Sequence, residues 1–526
     1  MKVLSQQRGP NCLLFLALLV LGVPAQSVAA PAAPIPIVLE QPDGTHVDAR
    51  RVGDAWCNRL ETLDGRPLIQ TADGWWRESE RESRGGNIRA SGAGTVQPLA
   101  PGSRDMEAPC SPSPWRTPAA SSASRTGVGT FQVLMILVSF TDQPPTYPAS
   151  TFASLLDVDL VDYYAAASFG AAAIVPARES YDVPWDGVVG WLPLGIPHPD
   201  TANLIGLRNQ RLTRAAIRAA DPYVDYAAYD RNGDGVVDSD ELAVVVVAAG
   251  YDCAYATMHP SVWAHSWWLH AVDPPEVDGV VVGGYHGNEG GYAQIGEIHA
   301  RSDADAHAAT VGVLAHELGH LVFRLPDLYD IDQSSNGVGP FCLMGFGNWG
   351  KTSQDQWIGS TPVLTSAYIR CRLEWSVARS ASGTVAVRAA GSPLAGADDT
   401  VWMAETSDPA EYFLVENREP FGYDEGLTRF IGASFGGIAI WHVNENAMLN
   451  FIDVRRLSDL EEADGTADAA TATALWYDGN PESQGVFDAR SDPSSDLFAH
   501  RPSGVRIVGF SAPAETMTVT VETSGE

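Results

Sequence analysis

The chain has 526 residues, which is too long for one hydrophobic core and predicts roughly two to four domains. Apolar residues make up 45% of it, enough to build such cores, while 33 basic and 65 acidic residues leave a net charge of −32. This balance argues against nucleic acid and anionic membranes as partners, and it suits a soluble exported protein that can bind cations.

Residues 1–30 are predicted to be a signal peptide. Two basic residues precede an apolar run from Cys12 to Val23, and small residues follow. Cleavage after Ala29 or Ala30 fits the small-x-small pattern, and the apolar run is too short for a comfortable membrane span. No second long apolar stretch follows in the sequence. We therefore expect a secreted protein without a stable membrane anchor.

Residues 31–125 are predicted to be a small N-terminal unit followed by a linker. The unit has short strand-like pieces between Gly and Asp turns, and residues 95–129 are rich in Ser, Pro, Ala and Gly. Five cysteines remain after the signal peptide, so at least one thiol has no partner within the chain. The pairing stays open for Cys57, Cys110, Cys253, Cys342 and Cys371.

Residues 126–372 are predicted to form a domain of mixed strands and helices. The run FQVLMILVSF from Phe131 predicts a buried strand, and apolar spacing over residues 155–170 predicts a helix. A second helix is expected over residues 201–220, with Thr201 or Asn203 as its cap. The strand-like LAVVVVAAG follows an acidic loop, and residues 306–325 read as a long helix.

The acidic loop at residues 230–241, DRNGDGVVDSDE, has the pattern of a calcium loop. Every ligand position of that pattern is filled, and Gly235 lies where the sharp turn requires glycine. The predicted ligands are Asp230, Asn232, Asp234, the Val236 carbonyl, Asp238 and Glu241. Because the following residues are β-branched, we expect a structural calcium site and not a paired sensor.

The helix at residues 306–325 contains His316-Glu317-Leu318-Gly319-His320, an H-E-x-x-H motif. Residues four apart share a helix face, so both imidazoles can bind one Zn²⁺. Glu317 lies beside that face and can take a proton from a water on the metal and pass it to the leaving amine. The motif predicts the metal centre of a zinc peptidase.

Such a centre needs a third protein ligand. Pro326 disfavours helical geometry at Leu325, so the chain is expected to turn there and to bring Asp327 to the metal. Asp330 is the competing carboxylate, and either one could instead cap a turn or bind calcium. Downstream, Met344 lies between Gly-rich turns and is predicted to form an apolar floor, a Met-turn, beneath the metal.

Residues 373–526 are predicted to form an all-β domain of sandwich type. Short alternating pieces stand between Gly, Pro, Asp and Ser turns in this part of the chain. The predicted strands lie in TVAVRAA, TVWMAE, EYFLVENRE, GGIAIWHVNE, GVRIVGF and TMTVTVET.

Several segments resemble the immune inhibitor A-like (M6) family of secreted metallopeptidases: HELGHLVFRLPDLYD, LMGFGNWG, EYFLVENRE and GGIAIWHVNE. GDAWCNRLETLDGRPLIQTADGWW resembles that family's propeptide, LVSFTDQPP the start of its catalytic domain, and YDRNGDGVVD its calcium loop. The resemblance implies an α+β fold with a metzincin-like zincin domain, an N-terminal propeptide and a C-terminal β domain. It also implies a secreted zinc endopeptidase made as a zymogen.

One position departs from the usual metzincin pattern H-E-x-x-H-x-x-G-x-x-H/D. Phe323 occupies the glycine position, and Asp327 lies seven residues after His320 where the pattern has six. One residue has therefore been added. Glu416, in EYFLVENR, is a more remote carboxylate that could also reach the metal, although a structural role in a strand is the simpler interpretation.

We therefore expect an endopeptidase that uses Zn²⁺ and Ca²⁺ and acts on proteins or peptides. The propeptide could block the metal through a thiolate of Cys57 or Cys110, or through an Asp of the same segment, or these two cysteines could form a disulfide. Arg116 and Arg125 are candidate maturation sites. The alternative is an exported, catalytically idle calcium-binding or adhesion protein.

Overall fold

A computed structural model describes residues 28–55, 58–71, 73–80, 89–90, 126–201, 205–269, 273–283, 291–331, 334–447, 449–450, 455–466 and 471–523. The apolar run of the predicted signal peptide, the linker, Cys57 and Cys110 lie outside these residues. Among the residues described, no helix is both long and apolar enough to cross a membrane.

The N-terminal part is a six-stranded antiparallel meander preceded by one short strand. Its hairpins turn at Asp-Gly pairs, as at Gly44, Gly65 and Gly74, whose φ angles of 81°, 85° and 86° suit glycine. The strands are β1 (Val28–Ala29), β2 (Pro36–Glu40), β3 (His46–Gly53), β4 (Asn58–Thr62), β5 (Pro67–Gln70), β6 (Trp76–Glu80) and β7 (Arg89–Ala90).

The middle of the chain forms a nine-stranded sheet with helices on both faces. Its strands, and those of a small three-stranded sheet (β11, β15 and β16), are β8 (Gly129–Ser139), β9 (Ala172–Pro176), β10 (Val188–Pro193), β11 (Val236–Val237), β12 (Ala243–Asp252), β13 (Ser261–Val262), β14 (His265–Trp267), β15 (Glu276–Val277), β16 (Val280–Val282), β17 (Tyr292–His299) and β18 (His307–Ala308). The helices are α1 (Ala149–Ser154), α2 (Val161–Ala167), α3 (Leu207–Ala220) and α4 (Val311–Phe323), with a π-helical stretch at Leu155–Leu160 between the first two.

The order of strands through this sheet is β1-β14-β17-β12-β8-β10. The strands from β17 to β10 are parallel, whereas β14 is antiparallel to β17 and β1 is antiparallel to β14. Along β8, Val133, Met135 and Leu137 face one hydrophobic cluster, while the alternate residues face another. This two-sided burial confirms the buried strands predicted from the two long apolar runs.

Two predicted helices are shorter than expected. The helix predicted from residue 201 begins at Leu207, after an extended Gly206, and Thr201 accepts a hydrogen bond from the Asn209 side chain instead of capping the helix. Asn203 lies outside the described residues. The helix predicted over 306–325 spans only 311–323, because residues 307–308 pair with β17 and Arg324 adopts a left-handed conformation.

The C-terminal part consists of two sheets, with strand orders β19-β21-β22-β23-β24 and β20-β27-β26-β25. The second sheet is antiparallel, and the first is antiparallel except for the pair β19 and β21. Residues of both sheets, including Phe413, Ile440, Ile507 and Val519, belong to one hydrophobic cluster. The strands are β19 (Arg379–Ser380), β20 (Gly383–Arg388), β21 (Val401–Ala404), β22 (Glu411–Arg418), β23 (Gly437–Asn444), β24 (Ser458–Leu460), β25 (Val486–Phe487), β26 (Val505–Val508) and β27 (Thr516–Thr523).

Two short helices accompany this region, α5 (Ala367–Arg372) and α6 (Thr428–Ile431). Each of the six alternating segments predicted from the sequence overlaps one of these strands. Single 3₁₀ turns occur at Asp221–Tyr223, Tyr226–Tyr229, Asp303–Asp305, Gly339–Phe341, Phe346–Trp349, Gly422–Leu427 and Ala472–Ala474. The chain is thus a mixed α+β protein in which strands predominate.

Candidate metal and active site

Helix α4 carries the H-E-x-x-H motif through the interior of the molecule. All its residues are buried, and small residues let its neighbours approach closely. A Cβ added at Gly312 would overlap the Asn348 carbonyl oxygen, and one at Gly319 would lie 2.9 Å from the Met344 sulfur. The helix is therefore held against the segment around Met344 at two glycines.

Three buried side chains converge at the C-terminal end of α4. The Nε2 atoms of His316 and His320 are 3.1 Å apart. Oδ1 of Asp327 lies 3.2 Å from the first Nε2 and 3.1 Å from the second. Among the described residues, this is the one group of three or more His, Cys, Asp or Glu side chains close enough together to hold a metal ion.

The Nδ1 atoms of the two imidazoles are hydrogen-bonded to backbone carbonyls, and their Nε2 atoms face each other and Asp327. Nδ1 of His316 donates to the Leu343 carbonyl at 3.0 Å, and Nδ1 of His320 donates to the Leu325 carbonyl at 2.6 Å. A carbonyl can only accept, so Nδ1 carries the proton in each neutral ring. Burial, moreover, lowers the pKa of His316 below its ordinary value.

Asp327 completes this arrangement. Its Oδ1 is buried and makes no hydrogen bond of acceptable geometry, although two nitrogens lie nearby. Burial by itself would raise the pKa of Asp327, but the neighbouring His320 and His316 outweigh it and lower the pKa. Two imidazole nitrogens and a carboxylate oxygen, all buried and within 3.2 Å of one another, are a donor set that fits a divalent metal.

The added residue in the motif lies before the turn that follows α4. Arg324 is the left-handed residue, with φ of 54°, and its N–H donates to the His320 carbonyl at 3.0 Å. Leu325 N–H donates to the Gly319 carbonyl at 3.2 Å, which closes the helix end. Asp327 follows the left-handed residue by three positions, the same interval that separates glycine from the third ligand in the usual metzincin pattern. Compared with the usual metzincin pattern, α4 therefore has one more residue, while the interval from the left-handed residue to the third ligand position is unchanged.

The two competing carboxylates have other partners. Asp330 accepts hydrogen bonds from Ser334 Oγ at 2.9 Å and from Ser335 N–H at 2.8 Å, as a turn-capping residue does. Glu416 lies in β22 and accepts hydrogen bonds from Arg370 and from Trp441 Nε1. Neither belongs to the group formed by the two histidines and Asp327.

Met344 is fully buried against α4. Its sulfur approaches the helix at Gly319, next to His320, and its carbonyl accepts the Leu328 N–H at 2.8 Å. The preceding residue, Leu343, supplies the carbonyl that orients His316. This short segment thus contacts the helix, one histidine and the turn that carries Asp327.

Glu317 faces the N-terminal segment of the chain. Its Oε1 accepts the Ala30 N–H at 2.8 Å, and its Oε2 has no hydrogen-bond partner although it is buried. Burial and then the negative charge of Asp327 raise the pKa of Glu317 well above its ordinary value.

Residues around Ala30 run through the site as an extended strand. β1 pairs with β14, the Trp263 indole donates to the Ala30 carbonyl at 2.8 Å, and the Trp349 indole donates to the Pro31 carbonyl at 3.0 Å. Ala29, Ala30 and Pro31 are buried. No local pattern in the sequence indicated this placement, since the segment was recognised only as the end of a signal peptide.

Tyr329 and Asp54 also meet at this strand. The Tyr329 hydroxyl lies 2.8 Å from the Ala29 carbonyl oxygen and 2.9 Å from Asp54 Oδ2. Asp54 belongs to the predicted propeptide. An unspecified Asp of that segment was one of the predicted inhibitors of the metal. The two cysteines considered for the same role lie outside the described residues.

The predicted calcium loop is a tight turn whose carboxylates accept hydrogen bonds from its own amides. Asp230 accepts from Gly233 and Asp234 at 2.8 and 3.1 Å, and Glu241 Oε1 accepts from Arg231 at 2.7 Å. Oε2 of Glu241 is buried and has no hydrogen-bond partner. The strand β12 follows the loop directly, which confirms that no second helix flanks it.

The remaining predicted ligands of this loop are arranged in the same way. Asn232 Oδ1 accepts the Asp234 N–H at 2.8 Å, and Asp234 Oδ1 accepts the Val236 N–H at 2.8 Å. Asp238 Oδ1 accepts the Asp240 N–H at 2.8 Å. No three of the acidic groups have oxygens within 4.8 Å of one another. The orphaned oxygen of Glu241 is nevertheless the donor that a hard cation would use.

The calcium loop touches the helix end beside the metal group. Arg324 Nη2 lies 3.1 Å from Asp240 Oδ1. Because Arg324 is the left-handed residue that precedes Asp327, this ion pair links the loop to the turn that positions the third candidate ligand.

The cysteines that the structure describes are all unpaired. Cys253 and Cys342 are buried, and Cys371 is partly buried. Burial raises the pKa of each of these thiols. None of the three belongs to the candidate metal group.

Helix α4 carries two histidines and a buried glutamate, and a carboxylate from the following turn lies beside the histidines. This is the arrangement of a metal-dependent hydrolase. The comparison with protein families identifies the class more narrowly. Residues 204–376 match the family described as immune inhibitor A peptidase M6, catalytic domain. The chain therefore has an M6 peptidase domain, which confirms the resemblance inferred from the motifs, and peptidases of this family are metallopeptidases. No curated protein matches the chain.

Proposed function

We propose that the protein is a secreted zinc-dependent endopeptidase that is made as a zymogen. His316, His320 and Asp327 hold zinc in this proposal, and Glu317 is the general base. The observation that carries it is the convergence of three buried ligand atoms next to a glutamate, inside a domain of a metallopeptidase family. Two imidazoles and one carboxylate are a ligand set that zinc accepts in catalytic sites.

When bound there, zinc supplies a Lewis acid that activates water and polarises a peptide carbonyl. The residues of the chain perform the proton transfers. Glu317 accepts a proton from the attacking water and delivers it to the amide nitrogen as the peptide bond breaks. Its Oε1 already lies 2.8 Å from a backbone nitrogen, that of Ala30, which is the distance such a transfer requires.

The position of the N-terminal segment supports latency. In the precursor, residues 28–31 lie beside β14 and α4 with the Ala30 N–H against Glu317, and once the signal peptide is removed Ala30 or Pro31 would be the first residue of this segment. A protein substrate cannot enter while this segment is in place. Release of the N-terminal part, after cleavage in the linker at a site such as Arg116 or Arg125, would open the groove.

The calcium loop is proposed as a brace for the catalytic domain. Asp230, Asp234 and Glu241 would hold Ca²⁺ with the other predicted ligands, and the pair between Arg324 and Asp240 would transmit that order to the helix end. Secretion is proposed from the N-terminal signal alone.

The proposal is tested by casein hydrolysis with full-length protein that has been activated by limited trypsin digestion and then freed of trypsin activity. Glu317→Gln should reduce hydrolysis by at least about 10²-fold while bound zinc is retained, because only the proton acceptor is lost. Zinc chelation should abolish hydrolysis, and added zinc should restore it. Zinc binding without any peptide cleavage by the wild type would instead support the idle alternative.

The third ligand is tested by a matched pair of substitutions. Asp327→Asn should lower bound zinc, measured by mass spectrometry of the metal, whereas Asp330→Asn should retain it. The reverse result would assign the ligand role to Asp330.

A further inference from the structure

The peptide bond between Ala29 and Ala30 is held at both of its polar atoms. The Tyr329 hydroxyl is 2.8 Å from the Ala29 carbonyl oxygen, and Glu317 Oε1 is 2.8 Å from the Ala30 nitrogen. These are the two atoms whose charge changes most when a peptide bond is hydrolysed. The oxygen becomes negative during attack, and the nitrogen takes up a proton on leaving.

The direction of the strand agrees with this interpretation. β1 runs antiparallel to β14, with Ala29 opposite His265, and β14 would be the edge strand of the sheet without β1. An extended peptide that adds to a free sheet edge is bound mainly through its backbone, so other sequences can take the same place. Ala29 and Ala30 therefore stand in for the residues on either side of the bond that a substrate presents to Glu317.

Tyr329 is held in position before any substrate binds. Its ring is buried, and the backbone of the preceding residue, Leu328, is hydrogen-bonded to Met344, Val338 and Asn450. A donor fixed in advance does not have to reorganise when charge develops on the atom it faces.

We propose that Tyr329 is a catalytic residue whose hydroxyl stabilises the negative charge on the carbonyl oxygen of the bond being cleaved. This inference rests on the proposed peptidase function. In the uncleaved chain the hydroxyl has a second acceptor, Asp54 Oδ2, at 2.9 Å. A phenol has one proton, so Asp54 of the N-terminal part competes with the carbonyl for it. Departure of that part removes this competing acceptor.

The test compares Tyr329→Phe with wild type after activation, using a peptide substrate and measuring kcat and KM separately. Removing one such donor should lower kcat by about 10²- to 10³-fold and leave KM within about threefold, because the hydrogen bond strengthens only as charge develops. Bound zinc should be unchanged. Tyr163→Phe is the matched control, since its buried hydroxyl donates to the Val363 carbonyl at 2.9 Å, and its kcat should equal that of wild type.

A second measurement separates catalysis from a structural effect. A peptide phosphinate, which resembles the tetrahedral intermediate, should lose affinity for Tyr329→Phe by the same factor as kcat/KM, whereas an uncleaved substrate analogue should not. If Tyr329→Phe does not fold, Tyr329→3-fluorotyrosine keeps the ring and hydroxyl, and kcat should change without a change in bound zinc.

The outcomes distinguish this inference from the proposed function. Wild type without peptidase activity refutes the proposed function itself. Active wild type together with a kcat for Tyr329→Phe within about threefold of it, or an unchanged phosphinate affinity, overturns the role of Tyr329 and leaves the peptidase intact. An unchanged kcat for Tyr329→3-fluorotyrosine also overturns the role of Tyr329 and leaves the proposed peptidase function intact.

Discussion

Glu416→Gln should destabilise the protein strongly even though Glu416 lies outside the metal group. Glu416 shares a buried network with Arg370 of α5, Arg418 of its own strand and Asp424. All four side chains are fully buried, and Trp441 Nε1 donates to Glu416 Oε1 at 2.7 Å. Gln has nearly the same shape as Glu, so this substitution removes a charge without opening a cavity.

The magnitude follows from the charges of the network. Two arginines and two carboxylates balance in the folded protein, and Glu416→Gln leaves one positive charge in excess in the interior. Breaking a buried ion pair by removing one partner costs about 3–5 kcal/mol. For a unit of 150–250 residues this corresponds to a decrease in Tm of about 6–20 °C. Arg418 also donates to the Phe341 carbonyl at 2.8 Å, so the loss should reach the segment near Met344.

Differential scanning calorimetry of the full-length chain measures this effect. Asp273→Asn is the control, because it also removes one carboxylate from an ion pair, but the pair with Arg218 is exposed. Its Tm should equal that of wild type. If Glu416→Gln melts within about 2 °C of wild type, the network does not stabilise the junction between α5 and β22, and the reasoning is refuted.

Two further predictions concern other ionisable groups. Burial opposes protonation of His442, but its hydrogen bonds to Glu411 and Glu461 outweigh burial and raise its pKa to about 9. The resulting stabilisation, about 3 kcal/mol, should be complete below pH about 6.5 and be lost as the pH rises through about 9. The Tm of His442→Gln should therefore not show the decrease that the wild type shows as the pH rises through about 9. If Tm depends on pH in the same way in wild type and His442→Gln, His442 does not provide this stabilisation. Calcium at about 100 times its Kd should stabilise the wild type by about 2.7 kcal/mol. Glu241→Gln should lose this calcium-dependent rise in Tm, the exposed control Glu276→Gln should keep it, and equal rises in both variants would exclude Glu241 as a ligand.

The sequence by itself predicted the features that depend on interactions between residues close together in the chain. The strands β8 and β12 are recognisable because unbroken apolar runs suit strands covered on both faces. The pairing of His316 with His320 follows from the pitch of a helix. Strands β20 to β23, β26 and β27 follow from alternation and turn residues, whereas the short strands β24 and β25 were not predicted. The boundaries were less accurate, as at α3 and α4, because pairing with a neighbouring strand or a left-handed residue ends an element without a periodic signal.

Only the tertiary structure decided which groups meet across long separations in the chain. Asp327 rather than Asp330 lies beside the histidines because α4 takes up the added residue and ends at Arg324. Ala30 meets Glu317 from 287 positions away, and Ala29 meets Tyr329 from 300 positions away. Such contacts depend on the path of the whole chain and on an available sheet edge. No window of neighbouring residues contains that information, so the motif could predict a metal site but not the peptide bond that lies in it.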